Sequence, residues 1–227
     1  TRLGNIAREM PKPMVPIFGK PFLEYLIVML RNKGITNFVF CTGYLAHKIK
    51  EHFNDGSKFG VKIKYSHENS ALYSAGALKN AEKLLENDFF VINGDDYYDV
   101  NYKKMLSFHK SKKALLTIAT TDIDPSIKSI FGNFKRDKKN RVTGYYGKGN
   151  EEGNAQCVGI FVMNKEILKP MKVGIPLSLE KDVIPEYTKT GRIYAKYDAG
   201  AYVMDIGTPE TYQRFMNDVK KGKVKST

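Results

Sequence analysis

An α/β fold is predicted for this chain by three features of its sequence. Helix-spaced and strand-like segments alternate through the first half, which argues for βαβ units on a mostly parallel sheet. The apolar run Phe89-Phe90-Val91-Ile92, bounded by Asp88 and Asn93-Gly94, reads as a strand buried on both faces, as inside a parallel sheet. From residue 122 onward the periodicity is mostly extended, so a β-rich part follows. The 227 residues fit one domain, 1–227, with halves at 1–121 and 122–227, and no internal repeat or low-complexity linker interrupts it.

Residues 1–20 are polar and proline-rich and read as a loop. Pro21 opens a helix in which Phe22, Leu26, Met29 and Leu30 recur at helical spacing, and Gly34 ends it. A strand from Ile35 to Cys41 follows, then a helix from Thr42-Gly43 to Phe53. Val61, Ile63 and Tyr65 alternate with polar residues as a half-exposed strand. Ala75 to Leu85 has the composition of a helix and leads into the apolar strand. A helix from Tyr102 to Lys110 comes next, followed by strands at Ala114–Thr121, Phe131–Lys135, Arg141–Tyr146 and Gln156–Met163. Asp137-Lys138-Lys139-Asn140 is the hairpin turn between the second and third of these. Ser178 caps a helix toward Tyr187, which Pro185 kinks or ends. Short strands at Ile193–Tyr197 and Ala201–Met204 precede a last helix with Thr208 as N-cap, Pro209 at its first position and Glu210 in its first turn.

The surplus of 37 Lys and Arg over 24 Asp and Glu gives a net charge of +13. Such a surplus suits nucleic acid or small polyanions such as nucleotides and sugar phosphates. The cations are dispersed, with clusters only at Lys135–Arg141 and Lys220–Lys225, and no helix-turn-helix, zinc-finger or RNP-type signature is present, so nucleic acid is not expected as a partner. No apolar run approaches the roughly 18 residues of a membrane span and no signal-peptide pattern opens the chain, so no membrane partner and a cytoplasmic location are expected. Cys41 and Cys157 lie in apolar strand-like runs and read as small buried hydrophobes, with no CxxC spacing to suggest a disulfide or zinc.

Chemistry is concentrated at a few points. Asp95, in Asn93-Gly94-Asp95-Asp96, follows the apolar strand at its carboxyl end, where open α/β sheets bind ligands. Judged alone, the tetrapeptide is a turn. Asp205, in Met204-Asp205-Ile206-Gly207-Thr208, repeats the arrangement before a capped helix, and two such carboxylates can share one Mg²⁺ on a nucleoside triphosphate. Pro11-Lys12-Pro13 is a stiff loop aiming an ammonium. Arg2 offers a guanidinium suited to phosphate, and Lys148 stands in a Gly-rich loop after the Val142–Tyr146 strand.

Taken together, Thr1-Arg2-Leu3, Pro11-Lys12-Pro13-Met14-Val15-Pro16-Ile17, Gly19-Lys20-Pro21, Glu24-Tyr25, Gly34-Ile35, Ala75-Gly76-Ala77-Leu78, Gly94-Asp95 and Asp205-Ile206-Gly207-Thr208-Pro209-Glu210 resemble the sugar-1-phosphate nucleotidyltransferases, end to end and in order. The resemblance implies a Rossmann-like three-layer α/β/α fold with a mostly parallel mixed sheet and a small β-rich sugar-binding part. The first half would be mainly nucleotide-binding and the second mainly sugar-phosphate-binding. It implies the reaction of an NTP with a sugar 1-phosphate to give an NDP-sugar and pyrophosphate, for glycan or surface polysaccharide synthesis. On the matching positions, Arg2 and Lys12 would be catalytic, and Asp95 and Asp205 would hold Mg²⁺. Thr1, Glu68, Tyr73, Ala75, Gly76 and Gly94 would bind the nucleotide. Gly132, Lys148, Asn154, Gly159 and Glu180 would bind the sugar phosphate, with Glu180 on a sugar hydroxyl.

Three departures from the family pattern stand out. The family's first strand and Gly-rich loop would precede Thr1, so the natural protein is expected to begin about ten residues earlier. The family's Leu-Gly-Thr-Ala-Gly reads Leu72-Tyr73-Ser74-Ala75-Gly76, with Tyr73 where glycine admits the base. The usual Glu-Lys-Pro reads Gly147-Lys148-Gly149, which removes a carboxylate on the sugar side. Base, sugar and oligomeric state, including a homo-oligomer, stay open. So do cytidylyl transfer to a phosphorylated non-sugar molecule and a regulatory relative that binds nucleotide or NDP-sugar without turnover.

Overall fold

The computed structural model describes residues 10–122, 131–148 and 152–224. A 3-10 turn at Lys12–Met14 leads to β1 (Pro16–Ile17), β2 (Lys20–Pro21), helix α1 (Phe22–Asn32), β3 (Asn37–Thr42), α2 (Ala46–Phe53) and β4 (Lys62–His67). Then come α3 (Tyr73–Asn80), β5 (Asp88–Ile92), β6 (Asp96–Asp99), α4 (Tyr102–Ser111) and β7 (Leu116–Thr120). The later chain forms β8 (Gly132–Arg136), β9 (Val142–Lys148), β10 (Ala155–Cys157) and β11 (Ile160–Asn164). It closes with α5 (Ile184–Thr188), β12 (Ile193–Tyr197), β13 (Tyr202–Asp205) and α6 (Pro209–Lys220). The expected α/β class is observed, with mixed sheets. Among the described residues no helix is long and apolar enough to cross a membrane.

The chain divides into two compact units. The first comprises residues 1–70, 94–97 and 204–227. Its central helix, α1, buries every residue from Phe22 to Leu30 except Glu24, so it is apolar nearly all round, as an interior helix must be. A Schellman motif ends it: Gly34, at φ +87°, donates to the Arg31 carbonyl and Ile35 donates to Leu30. Phe215 of α6 packs on Phe22, Tyr25 and Tyr97, with ring centroids 4.9, 6.0 and 5.4 Å away. Strands β3 and β4 pair in parallel.

The second unit comprises residues 71–93 and 98–203. One sheet has the order β12-β7-β11-β5; β7 is buried throughout, paired in parallel with β12 and antiparallel with β11. A second sheet has the order β10-β8-β9 and is antiparallel. Its core gathers Leu116, Ile118, Phe134, Met163, Ile167, Leu168, Leu179, Ile184 and Ile193.

Several local expectations are corrected. Residues 10–20 are not all loop, because β1 and β2 pair as a small antiparallel hairpin turned by Phe18 and Gly19, both at positive φ. The apolar strand β5 is half-buried along its whole length, not buried on both faces. It stands at the end of its sheet order, and its partner there, β11, is antiparallel. The run Gln156–Met163 breaks into β10 and β11 at Val158-Gly159, where Gly159 turns at φ +79° and sends the two pieces to different sheets. The helix expected at Ala75–Leu85 stops at Asn80 and continues as a 3-10 turn, Glu82–Leu84. Pro185 does not end its helix: it stands where a π-helical turn, Leu179–Val183, gives way to α5, in the first turn of the α-helical part. Lys148 is the last residue of β9 rather than part of a following loop. Cys157 is buried as expected, but Cys41 is exposed.

Candidate functional site

Lys12, Asp95 and Asp205 all lie in the first unit. Proline on either side makes Lys12 the head of a 3-10 turn, closed by Met14 N–H donating to the Pro11 carbonyl. The turn is anchored behind by the Phe22 N–H on Val15 and by the Tyr212 and Tyr25 hydroxyls on the Pro16 and Ile17 carbonyls. From it Lys12 Nζ donates to Asp95 Oδ2 at 3.4 Å, with the two side chains 36% and 27% exposed. This ion pair is open enough to be re-partnered by an incoming phosphate. Gly94 explains its reach: a Cβ there would sit 3.0 Å from Pro13 Cγ, so the bare glycine lets the lysine loop lie against the Asp95 turn. Asp96 is buried, which leaves Asp95 as the accessible member of the pair.

Asp205 closes β13, and its Oδ1 accepts from the Gly207 N–H. A Cβ at Gly207 would fall 2.6 Å from that oxygen, so glycine lets the carboxylate fold back onto its own turn. The Ile206 N–H donates to the Asp95 carbonyl at 3.1 Å, which ties the two aspartate turns together through their backbones. Thr208 then caps α6 in a reciprocal box with Thr211. Among the described residues no group of three or more His, Cys, Asp or Glu side chains gathers to hold a metal. A two-carboxylate oxygen donor set of this kind does not suit a zinc or calcium cage. It fits Mg²⁺, which is held by one or two carboxylates and takes its other ligands from phosphate and water.

Glu68, also in the first unit, follows β4. Its Oε2 is buried with no hydrogen-bond partner among the described residues, and a Cβ on Gly43 would lie 3.0 Å from Oε1, so the glycine turn makes room for this carboxylate. A buried acceptor without a donor is costly unless a ligand supplies one.

The remaining sequence-derived positions are in the second unit. Tyr73 begins α3 at φ +55° and is exposed. The N–H groups of Ala75 and Gly76 both donate to the Leu177 carbonyl, and Gly76 faces the Ile175 carbonyl closely, so these two residues hold the 175–177 segment. Gly132 lies in β8 between Cys157 of β10 and Lys148 of β9. Asn154 uses both ends of its amide on the Arg136 backbone. Gly159 is the turn between β10 and β11. Glu180 sits in the π-helical turn, whose Ser178 cap accepts from Lys181 N–H and whose Leu179 N–H donates to Ser74 Oγ at 2.8 Å. Thr1 and Arg2 lie outside the described residues. One residue that strand alternation does not single out is Tyr145 of β9, whose hydroxyl is buried beside Gly132.

A stiff lysine loop paired to one of two linked carboxylate turns thus stands on an α/β frame. The sequence matches the nucleotidyl transferase family model over residues 1–222, and the chain belongs to that family. It is 32% identical over 216 residues to a D-glycero-alpha-D-manno-heptose 1-phosphate guanylyltransferase of Campylobacter jejuni, covering 95% of this chain and 94% of that one. A mannose-1-phosphate guanylyltransferase of Mycobacterium tuberculosis is 31% identical over 227 residues, covering 98% of this chain and 62% of its own. The crystal structure of HddC from Yersinia pseudotuberculosis complexed with GMP-PN is similar with a TM-score of 0.82 and 30% identity, covering 96% of this chain and 94% of that one.

Proposed function

We propose that this protein is a guanylyltransferase, taking GTP and a manno-configured sugar 1-phosphate to a GDP-sugar and pyrophosphate. Nucleotidyl transfer to a sugar 1-phosphate for glycan synthesis is the activity. The observation that carries it is the Lys12–Asp95 pair in a stiff loop beside the Asp205 turn. Guanine and the manno configuration are supported by the heptose and mannose guanylyltransferases among the relatives and by the GMP-PN complex of the HddC structure.

In the reaction, an oxygen of the sugar phosphate forms a bond to the α-phosphorus of GTP as the bond from that phosphorus to pyrophosphate breaks. No covalent intermediate on the protein is needed. Lys12, freed from Asp95, balances negative charge at the α-phosphate, and Arg2 does so on the triphosphate. Asp95 and Asp205 would hold Mg²⁺, which would neutralise charge on the phosphates when bound. Glu68 is assigned to the base, because guanine presents two donors, N1–H and N2–H, to a carboxylate with an oxygen that no donor reaches among the described residues. Lys148 and Glu180 are assigned to the sugar phosphate, and the cytoplasm remains the proposed location.

The test is pyrophosphate release from the full chain with each NTP in turn and a panel of sugar 1-phosphates and phosphoalcohols. GTP with a manno-configured 1-phosphate is expected to give the highest kcat/KM, and Asp95→Asn to lower kcat on the order of 100-fold. Glu68→Gln is expected to raise the KM for GTP roughly 10- to 100-fold, since an amide cannot accept from both guanine donors as a carboxylate does. CTP turnover with a phosphoalcohol would replace the reading, and nucleotide binding without release from any pair would make the protein a regulatory relative.

A further inference from the structure

The β8–β9 sheet holds a polar group that the reading above leaves unused. Tyr145 stands on β9 opposite Phe134 of β8, next to an irregularity in the register. Its phenol reaches over Gly132: a Cβ there would be 2.4 Å from Oη and 3.2 Å from Cζ. Residue 132 can therefore be nothing larger than glycine while the phenol keeps its place. The hydroxyl so lodged is buried and makes no hydrogen bond among the described residues. A buried donor without an acceptor is retained against its cost where a ligand-dependent partner completes it.

The Leu179–Val183 turn that carries Glu180 packs against β9, and Cys157 shares the face of Gly132 with the phenol, so Glu180 and Cys157 are the candidate acceptors. A carboxylate is much the stronger acceptor of an O–H, and a thiol the weaker. Glu180 is carried by the π-helical turn Leu179–Val183, a widened turn of a kind common at functional sites. Burial first, then Cys157 and Glu180, holds the phenol above its ordinary pKa of 10, so Tyr145 stays protonated and can only donate toward Glu180.

We propose that Tyr145 is a positioning residue for Glu180: its O–H donates to the Glu180 carboxylate when a sugar 1-phosphate engages that carboxylate, fixing the angle at which Glu180 reads a ring hydroxyl. This rests on the sugar-phosphate reading of the second unit, and it makes Gly132 a packing requirement of Tyr145 rather than a substrate contact.

Tyr145→Phe deletes the hydroxyl and little else. The KM for the sugar 1-phosphate is expected to rise about 10-fold. The KM for GTP should stay unchanged, the preference for manno- over gluco-configured 1-phosphate should narrow, and the melting temperature should hold or rise because an unmade buried hydrogen bond is gone. In a Glu180→Ala background the same substitution should add nothing, since the hydroxyl acts through that carboxylate. An active wild type whose sugar KM and selectivity are untouched by Tyr145→Phe overturns the inference alone. A wild type that turns over no sugar 1-phosphate overturns the functional reading, and this inference with it.

Discussion

Tyr73 holds a backbone angle of φ +55° with its side chain 67% exposed, at the first residue of α3. An L-residue in the left-handed region carries strain of about 1 kcal/mol or more, and a β-branched side chain carries more than an unbranched one. Tyr73→Gly is therefore expected to melt at or above the wild type, and Tyr73→Val below both by the equivalent of about 1 kcal/mol. Thermal unfolding of the three proteins decides it, and a valine variant as stable as the glycine one would show that the angle carries no strain. At this scale the site was partly legible. Lys12, Asp95 and Asp205 can be read from the chain because prolines, glycines and caps surround them and constrain the backbone locally. The buried hydroxyl of Tyr145 and the Glu68 oxygen, neither partnered among the described residues, cannot, because alternation tells which face a side chain takes and not whether its polar end finds a partner.

At the scale of elements, those with punctuation are legible in the chain. Helix α6 begins where Thr208-Pro209 says it should, and β12 spans Ile193–Tyr197 as its pattern suggests. Elements bounded by tertiary contacts are not. A continuous apolar run hides the break at Gly159, since one glycine among apolar residues is equally a strand interior or a turn. Helix α4 shows a further property that no pattern reveals. Its His109 is 1% exposed, with Nδ1 on Thr117 Oγ1 at 2.9 Å and Nε2 3.5 Å from Asp88. Burial lowers its pKa below the ordinary 6.5, the neighbouring Asp88 opposing and Lys110 adding to the effect. A depressed histidine pKa means that the unfolded chain takes up the proton first as the pH falls. Stability from this group is thus full above pH 6.5 and declines below it until the folded pKa is reached. Urea midpoints at about pH 7.5 and pH 5.5 should show that decline in the wild type, and a smaller one in His109→Gln, whatever the variant's stability at neutral pH. Equal declines would place the acid sensitivity elsewhere.

At the scale of the molecule, the compact units interleave in sequence, since residues 94–97 and 204–227 rejoin the first unit after long excursions. Periodicity is a local signal and cannot show such returns. Charge can be read without the fold, and its consequence is testable in the same way. A net charge of +13 on 227 residues exceeds what solubility requires, and both proposed substrates are polyanions. A positive field raises the encounter rate with such substrates, and salt screens it beyond a Debye length of about 10 Å at 0.1 M. Raising NaCl from about 50 to about 500 mM should therefore lower kcat/KM for GTP several-fold, while kcat at saturating substrate changes little because contacts inside the bound complex are screened less. A kcat/KM independent of salt would mean that the dispersed cations serve the solvated surface alone, and that the pairing of Lys12 with Asp95, not the field of the whole chain, governs capture of the triphosphate.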